Sequence, residues 1–274
     1  MTSTPEAPVS RPRRRASLLV RASFVTHAAG ATLAVARPSL WPWIVGGLVA
    51  DHALLTAAGL WPRSRLLGPN WVKLPAAAIA RRQIAVTLDD GPDPEVTPQL
   101  LDILERYGAH ASFFCIGARV AAHPQLARDI VRRGHTLENH SQQHLHRFSL
   151  LGPRAMRAEV ERAQQLISAT VGESPRFFRA PAGLRNPFLD PILGDLGLQL
   201  ASWTRRGFDT VTREPARVLA RLVRGLGSGD IVLLHDGHAA RTTSGVPVAV
   251  EVLPRLLDAA VAGQLTPVTL RATL

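Results

Sequence analysis

The chain has 274 residues, and its apolar fraction of 46% is ample for a hydrophobic core. The formal net charge of +11 comes from 32 basic residues against 21 acidic ones. Most of the arginines are scattered along the chain, whereas a nucleic-acid-binding protein would gather them on one face between aromatic residues. The single Cys115 excludes an intramolecular disulfide and lies in an apolar run typical of a core. We therefore expect a globular protein with no nucleic-acid partner.

The N-terminal part contains a polar tail and then two apolar stretches. Residues 1–16 are rich in Pro, Ser, Thr and Arg and are predicted to form a disordered basic tail. The apolar stretches cover residues 17–36 and 39–61, and each is close to the ~20 residues that cross a bilayer. Each stretch contains a charged residue that a membrane tolerates poorly. Asp51 costs about 2.5–3.5 kcal/mol inside a membrane, and Arg21 would have to lie near an interface.

These stretches predict a two-helix membrane hairpin over residues 17–62, followed by a linker over residues 63–82. The alternatives are two soluble helices packed on the following domain, or a signal peptide cleaved near Ala36, which would leave the second stretch in place. The candidate interface anchors are Trp41, Trp43, Trp61 and Trp71.

The charge pattern bears on the location of the chain. The basic residues before and after the hairpin are Arg11 to Arg15, Arg63, Arg65 and Lys73. They predict an inner or plasma membrane location with both basic groups on the cytoplasmic side. This pattern favours a cytoplasmic position for the following domain without fixing it.

From Gln83 onwards, strand-like runs alternate with helical stretches, several of which begin with proline. The predicted strands are 83–88, 111–116, 136–138, 177–179, 199–203 and 230–235. The predicted helices are 96–107, 124–133, 153–171, 187–196, 215–226 and 246–261. This alternation predicts a parallel α/β domain over residues 83–270, with a distorted (β/α) barrel favoured over an open doubly wound sheet.

The first predicted strand ends in two adjacent carboxylates, Asp89 and Asp90, followed by the turn Gly91-Pro92. Alternate side chains of a strand point to opposite faces, so the two carboxylates can serve different roles. Since Asp, Gly and Pro are also the commonest turn residues, an ordinary strand-to-turn junction explains this stretch equally well on its own.

Other polar clusters follow later strands at the same C-terminal edge, where α/β folds hold their reactive groups. One of them contains His140 and His144, whose i, i+4 spacing would present both imidazoles to one point on a helical turn. Two histidines in a polar loop are more often solvated or structural than metal ligands. The nearby His146 shows that histidine is frequent in this segment. Asp90 supplies a third ligand, and two imidazoles with one carboxylate are typical of a hydrolytic Zn²⁺ site.

Five of these segments, in this order, resemble the motifs of the polysaccharide deacetylases, also described as the NodB homology domain or carbohydrate esterase family 4. The motifs are Thr87 to Pro92, His140 to His144, Arg179 to Gly183, Trp203 with Asp209, and Leu233 to His235. The resemblance extends from about Gln83 to Leu265. It implies a distorted barrel of the NodB-homology type and a metal-dependent hydrolase that removes an N-acyl group from an amino sugar of a glycan or glycolipid.

The resemblance also implies roles for the individual residues. A divalent metal, usually zinc, would be held by Asp90, His140 and His144. Asp89 would be the general base, and Arg179 would orient it.

The remaining motif residues would act on the substrate. His235 would protonate the leaving amine, with Asp209 tuning its pKa. The backbone amide of Ala182, after Pro181, would face the developing oxyanion. Trp203 and Leu234 would surround the acyl methyl group.

The chain departs from the family pattern at two places. Ala182 stands where an aromatic residue is common, and no aromatic residue follows Asp209. Three arginines, Arg185, Arg205 and Arg206, add positive charge near the motifs. They would meet a phosphate-bearing substrate or, more commonly for surface arginines, be solvated or paired with carboxylates.

Two further functions fit the same residues. One is a deformylase or deacylase of a small or lipid-linked amide on the same scaffold. The other is a catalytically silent carbohydrate-binding protein of the cell envelope.

Overall fold

The computed structural model describes residues 16–274. The predicted tail therefore lies outside the described residues, apart from Ala16. Both apolar stretches form helices, α1 Leu18–Ala36 and α2 Trp41–Leu60, which are joined by the short 3-10 turn Pro38–Leu40. The two helices pack on each other, and the Ser23 hydroxyl donates to Asp51 Oδ2 at 2.6 Å between them. The predicted helical hairpin is present.

Both helices are long and apolar enough to cross a membrane, and each has only 11% of its most apolar window buried. The same features would also suit a signal sequence in the case of α1, which lies near the N-terminus. Trp41, Trp43 and Trp61 are largely exposed on the hairpin and at its end.

The part of the chain after residue 82 is built on one curled sheet of eight strands, in which every strand pair is parallel. The strands are β1 Gln83–Asp89, β2 Ala111–Cys115, β3 Thr136–Asn139, β4 Phe177–Phe178, β5 Gln199–Leu200, β6 Arg205–Arg206, β7 Ile231–His235 and β8 Thr266–Val268. Their order is β5-β4-β3-β2-β1-β7-β6, and β8 also pairs with β1. The predicted distorted barrel is confirmed, since β5 and β6 leave the sheet open between them.

Helices cover the outside of this sheet and connect its strands. They are α3 Ala76–Ala80, α4 Val96–Arg106, α5 Gly117–Ala122, α6 Pro124–Arg132, α7 Pro153–Val171, α8 Leu189–Asp195, α9 Pro215–Val223 and α10 Val248–Ala262. Strands β6 and β8 and helix α5 were not predicted. Strand β6 is only two arginines, and Pro267 in β8 argues against a strand because proline lacks the N–H of a ladder.

The alternation of strand residues divides the core into an inner and an outer layer. Ala85, Phe114 and Leu233 pack inside the curled sheet. Leu88 and Leu234 pack against the outer helices. Because successive side chains point to opposite faces, Asp89 and His235 also face the inside, at the C-terminal end of their strands.

Residues 63–82, expected as a linker, are packed against the sheet. The Trp71 N–H donates to the Leu200 carbonyl and the Ser202 N–H donates to the Trp71 carbonyl, both at 2.9 Å, so this segment continues the sheet beyond β5. The Trp71 ring lies edge-on to Phe177 at 5.1 Å. Trp71 is therefore a residue of the folded domain, and its expected role as a membrane anchor was wrong.

The buried carboxylate of Glu138 connects three parts of the chain inside the sheet. Its Oε2 accepts hydrogen bonds at 2.9 Å from the backbone N–H groups of Arg176 and Phe177, at the start of β4. Its Oε1 accepts one at 2.7 Å from Arg271 Nε, near the C-terminus. Burial raises the pKa of Glu138 although Arg271 opposes the shift.

Replacing Glu138 with Ala is expected to lower the free energy of unfolding by about 3–5 kcal/mol, because Arg271 and two N–H groups lose a buried partner. Urea unfolding of the full chain in detergent, followed by tryptophan fluorescence, measures the change. Glu173 is the matched control, since it contacts Arg271 at 3.0 Å but its side chain is 58% exposed. Its replacement with Ala should cost under about 1 kcal/mol. Equal effects of the two substitutions would contradict a structural role for Glu138.

Candidate active site

The predicted site residues gather at the C-terminal ends of the strands, around a cleft of about 750 Å³. Seven of them line this cleft, namely Asp89, Asp90, His140, His144, Ala182, Trp203 and His235. The other four, Arg179, Pro181, Asp209 and Leu234, are buried and do not line the cleft. The structure therefore brings together residues from five separate segments of the sequence.

Asp90, His140 and His144 form a compact group with the spacing of metal ligands. Asp90 Oδ1 lies 3.3 Å from His140 Nε2 and 3.2 Å from His144 Nε2. Bonds of 2.0–2.1 Å to a tetrahedral metal place neighbouring ligand atoms roughly 3.3 Å apart. Asp90 Oδ1 is also buried without a hydrogen-bond partner within residues 16–274. The donor set and its spacing fit a divalent cation.

The two histidines converge through a tight polar loop after β3. The expectation that they lie on one helical turn was wrong, because Ser141 and His144 have positive φ angles of 65° and 50°. The loop is held by its own side chains: the Ser141 N–H donates to Asn139 Oδ1 at 2.9 Å, and the His144 N–H donates to Ser141 Oγ at 3.0 Å. These bonds replace the helical bonds that the i, i+4 spacing suggested.

Hydrogen bonds and burial set the protonation of these groups. His140 Nδ1 lies 2.8 Å from the Arg179 carbonyl. The carbonyl can only accept, so the Nδ1–H donates and the lone pair of Nε2 faces Asp90. Burial lowers the pKa of His144 to about 4, with a smaller contribution from the neighbouring His140. A neutral His144 at pH 7 is the form that binds a metal.

Asp89 is held by a fully buried guanidinium. Arg179 Nη1 donates to Asp89 Oδ1 at 2.5 Å and to Thr87 Oγ1 at 2.9 Å. The rest of the guanidinium donates to the carbonyls of Ala201 and Ser202, and it lies 4.0 Å above the ring of Phe114. Arg179 therefore fixes one oxygen of Asp89 and leaves Oδ2 directed towards the histidines, 3.8 Å from His140 Nε2.

His235 stands beside Asp89, because the two residues are partners in the β1–β7 register. Asp209 holds it twice: Oδ2 accepts the His235 backbone N–H at 2.8 Å, and Oδ1 lies 2.9 Å from Nδ1. Burial lowers the pKa of His235, but the carboxylates of Asp209, Asp89 and Asp90 outweigh it and raise the pKa to about 9.

Ala182 is another residue that lines the cleft. This residue has a left-handed backbone, with φ of 54° and ψ of 7°, inside the 3-10 turn Pro181–Gly183. The hydrogen bonds of the turn come from Gly183 and Leu184, whose amides donate to Ala180 and Pro181. Among the described residues, no backbone carbonyl accepts from the amide of Ala182, a residue that lines the cleft.

Leu234 does not line the cleft, which corrects the sequence prediction. It is fully buried in the outer layer of the core, whereas Leu233 lies on the inner face and lines the cleft. The reason is the two-residue period of a strand: if His235 faces inward, Leu233 does too and Leu234 faces outward. The apolar wall is therefore formed by Trp203 and Leu233.

The three extra arginines lie in different environments. Arg206 lines the cleft, with its guanidinium 5.3 Å from the Trp203 ring and 4.8 Å from the Phe208 ring. Arg205 pairs with Asp230 at 2.8 Å, and the buried Arg185 donates to the Ser64 carbonyl at 2.6 Å. Of these three arginines, Arg206 is the one placed to meet a substrate in the cleft.

Two polar residues close to Asp90, His238 and Asp236, were also not predicted from the sequence. His238 lines the cleft with Nδ1 at 3.3 Å from Asp90 Oδ2. Asp236 is fully buried and accepts the Thr97 hydroxyl at 2.6 Å, and its Oδ2 would lie 1.9 Å from a side chain added at Gly91. Burial raises the pKa of Asp236 to about 7. The sequence signal for both residues is the dense polar run directly after His235, which lies outside the five motifs.

Comparisons with known proteins agree with this geometry. The sequence profile of the family described as Polysaccharide deacetylase matches residues 77–201. The chain is 36% identical over 175 residues to a peptidoglycan-N-acetylglucosamine deacetylase of Bacillus cereus, covering 63% of this chain and 81% of that protein. It is 34% identical over 158 residues to a chitooligosaccharide deacetylase of a Bradyrhizobium species, covering 57% and 72%.

A solved structure supports the same assignment. The family 4 carbohydrate esterase from Streptomyces lividans in complex with acetate is 30% identical, with a TM-score of 0.61 over 68% of this chain and 91% of that one. The relatives, the shared barrel and the five converging motifs identify the chain as a member of the polysaccharide deacetylase family, whose members hydrolyse carbon–nitrogen bonds other than peptide bonds.

Proposed function

We propose that the protein is a divalent-metal-dependent hydrolase that removes the N-acetyl group from an amino sugar of a glycan or glycolipid. The observation that carries the proposal is that three kinds of group meet at one cleft: the metal-ligand group, the Asp89 carboxylate fixed by Arg179, and the His235 imidazole fixed by Asp209. The relatives named above, a peptidoglycan-N-acetylglucosamine deacetylase and a chitooligosaccharide deacetylase, support the same reaction.

Asp90, His140 and His144 are proposed to hold the cation. We propose zinc, because two imidazoles and one carboxylate with an open position are a typical ligand set of hydrolytic zinc sites. When bound, the cation would supply Lewis acidity towards the water and the amide carbonyl.

Asp89 is proposed as the general base. Its Oδ1 is occupied by Arg179, so Oδ2 is the oxygen directed at the ligand group and able to take a proton from the attacking water. The buried ion pair keeps the carboxylate in one orientation, which is what a base needs to reach its proton within hydrogen-bond distance.

The Ala182 amide is proposed to stabilise the negative charge that develops on the amide oxygen. This role needs only the backbone, so the missing aromatic side chain leaves the donor in place. Trp203 and Leu233 would surround the acyl methyl group, since they form the apolar part of the cleft wall.

His235 is proposed to protonate the leaving amine. Asp209 engages Nδ1 and so leaves Nε2 to face the substrate. Because the pKa of His235 is raised to about 9, the imidazolium is the main form at neutral pH and carries the proton that the amine takes.

We also propose that residues 17–62 are a membrane hairpin and residues 83–270 the catalytic domain, with the basic tail at 1–16. The support is the length, composition and exposure of α1 and α2. A position in the inner or plasma membrane follows from this proposal, and the positive charge around the hairpin favours the cytoplasmic side for the domain.

Replacing Asp90 or His140 with Ala is expected to abolish bound metal and activity together, because each removes one of three ligands. Metal content by mass spectrometry and acetate release from chitooligosaccharides and peptidoglycan fragments measure both effects. The control is His146→Ala, since His146 also lines the cleft but lies outside the ligand group. Full metal content in the Asp90 and His140 variants would contradict the assignment.

Asp89→Asn is expected to keep the metal and to lower kcat by roughly 10²–10⁴-fold, the usual contribution of a general base. The amide retains a carbonyl oxygen for Arg179 but cannot take a proton. Metal content and kcat are measured on the same preparation. A near-native kcat would remove Asp89 from the role of base.

The pH dependence of kcat/KM tests His235. Activity is expected to fall as pH rises through the pKa of His235, near 9, because the protonated imidazole is the acid. Asp209→Asn removes the main charge that raises this pKa, so the alkaline limb should move towards the ordinary value of about 6.5. An alkaline limb that stays in place would show that another group is the acid.

A further inference from the structure

The end of helix α2 is fixed to the wall of the active-site cleft. The Gly59 carbonyl accepts the Arg185 N–H at 3.1 Å, and a side chain at Gly59 would lie 2.2 Å from the Arg185 carbonyl oxygen. This close approach requires glycine at this point of the helix. The last turn of α2 is therefore in direct backbone contact with the loop that follows Ala182.

The residues just after α2 complete this contact. A side chain added at Gly183 would lie 2.7 Å from both Pro62 Cβ and the Trp203 ring, so these three residues pack tightly. The Pro62 carbonyl also accepts the Ser202 hydroxyl at 2.6 Å. Gly183 and Trp203 both line the cleft. The cleft thus opens beside the end of the apolar hairpin.

A groove of about 180 Å³ runs between α2 and two loops of the domain. Each loop contributes to both cavities. In the first loop, Leu145 and His146 line the cleft, and Ser149 and Leu150 line the groove. In the second loop, Ala182 and Gly183 line the cleft, and residues 185–187 line the groove. The opposite side of the groove is α2 itself, through His52, Leu55, Thr56, Gly59 and Leu60.

Large apolar side chains are exposed at this end of the domain. Leu150 is 83% exposed, and Leu60 and Trp61 at the end of α2 are 57% and 58% exposed. The exposure of Leu150 is fixed, because Asn186 Nδ2 donates to the carbonyls of Ser149 and Leu151 and ties the two loops together. Exposed basic residues lie close to these side chains in the sequence, with Arg63 and Arg65 after Trp61 and with Arg147 and Arg154 on either side of Leu150. Apolar side chains with a basic border are typical of a surface that meets anionic lipid.

We propose that the cleft takes an amino sugar carried on a membrane lipid, with the sugar in the cleft and the start of the lipid chain in the groove beside α2. This inference rests on the proposed deacetylation. A hairpin that spans the bilayer would hold the cleft at the membrane surface, where a sugar on a lipid is presented and a soluble oligosaccharide is not concentrated.

Two substrates with the same sugar test the preference. The full chain in nanodiscs of phosphatidylethanolamine and phosphatidylglycerol is supplied with chitobiose or with its hexadecyl glycoside. We expect kcat/KM to be about tenfold higher or more for the lipid-linked sugar, since burying even part of an alkyl chain provides that factor. Leu150→Asn should reduce this preference and leave chitobiose turnover unchanged. The matched control is Val261→Asn, at an exposed apolar position on the outer helix α10.

A second measurement does not depend on activity. Cys115 is the one cysteine of the chain and is fully buried, so a fluorophore can be attached selectively in Leu150→Cys and, as control, in Val261→Cys. Nitroxide-labelled lipids in the nanodisc are expected to quench the label at position 150 and not the label at 261.

The outcomes separate the two proposals. Equal kcat/KM for both sugars, or no quenching at position 150, would overturn the membrane-lipid inference. Quenching at position 150 without turnover of either sugar would support the membrane contact and overturn the proposed deacetylase function.

Discussion

The ordering of the site depends on the buried guanidinium of Arg179. A buried charge is costly unless it is paired and hydrogen-bonded, and here Asp89, Thr87 and two backbone carbonyls accept hydrogen bonds from all three guanidinium nitrogens. These partners lie at the C-terminal end of β1 and just beyond β5, so the ion pair also connects strands on both sides of the barrel. The carboxylate that faces the ligand group is thereby fixed by the same contact that holds the inner core, with Phe114 packed under the guanidinium.

The strand register then determines which groups can act together. Asp89 pairs with His235 and Thr87 with Leu233, so two functional side chains and their apolar neighbour share the inner face. The sequence predicts this much, because polar residues at the ends of parallel strands must meet at one edge. It also contained the information that Leu234 faces outward, since the period of two excludes Leu234 once His235 is placed inside. Leu234 was placed in the cleft because it is adjacent to His235 in the motif, but adjacent residues of a strand face opposite sides.

Other features could not be predicted from local sequence. The histidine spacing suggested a helical turn, but the side chains of Asn139 and Ser141 compete for the backbone N–H groups and produce a loop with two left-handed residues. Strand β6 could not be predicted, because Arg205 and Arg206 show no hydrophobic pattern. They gain their strand geometry from pairing with β7. The position of Trp71 could not be predicted because its contacts, Phe177 and Leu200, are distant in the chain. From the local sequence alone, it resembled the tryptophans of a membrane interface.

The segment between the hairpin and the barrel explains why the cleft and the helices form one unit. Between β5 and β6 the sheet is open, and Trp71 occupies this edge by pairing with Ala201. Asn70, next to it, donates to the carbonyls of Pro62 and Ser64, so the chain from the helix end to the sheet edge is tied together. A rigid connection of this kind transmits the orientation of α2 to Trp203 and Gly183 in the cleft wall. A flexible linker would leave that orientation free, so the direction in which the cleft opens is set by how the hairpin lies.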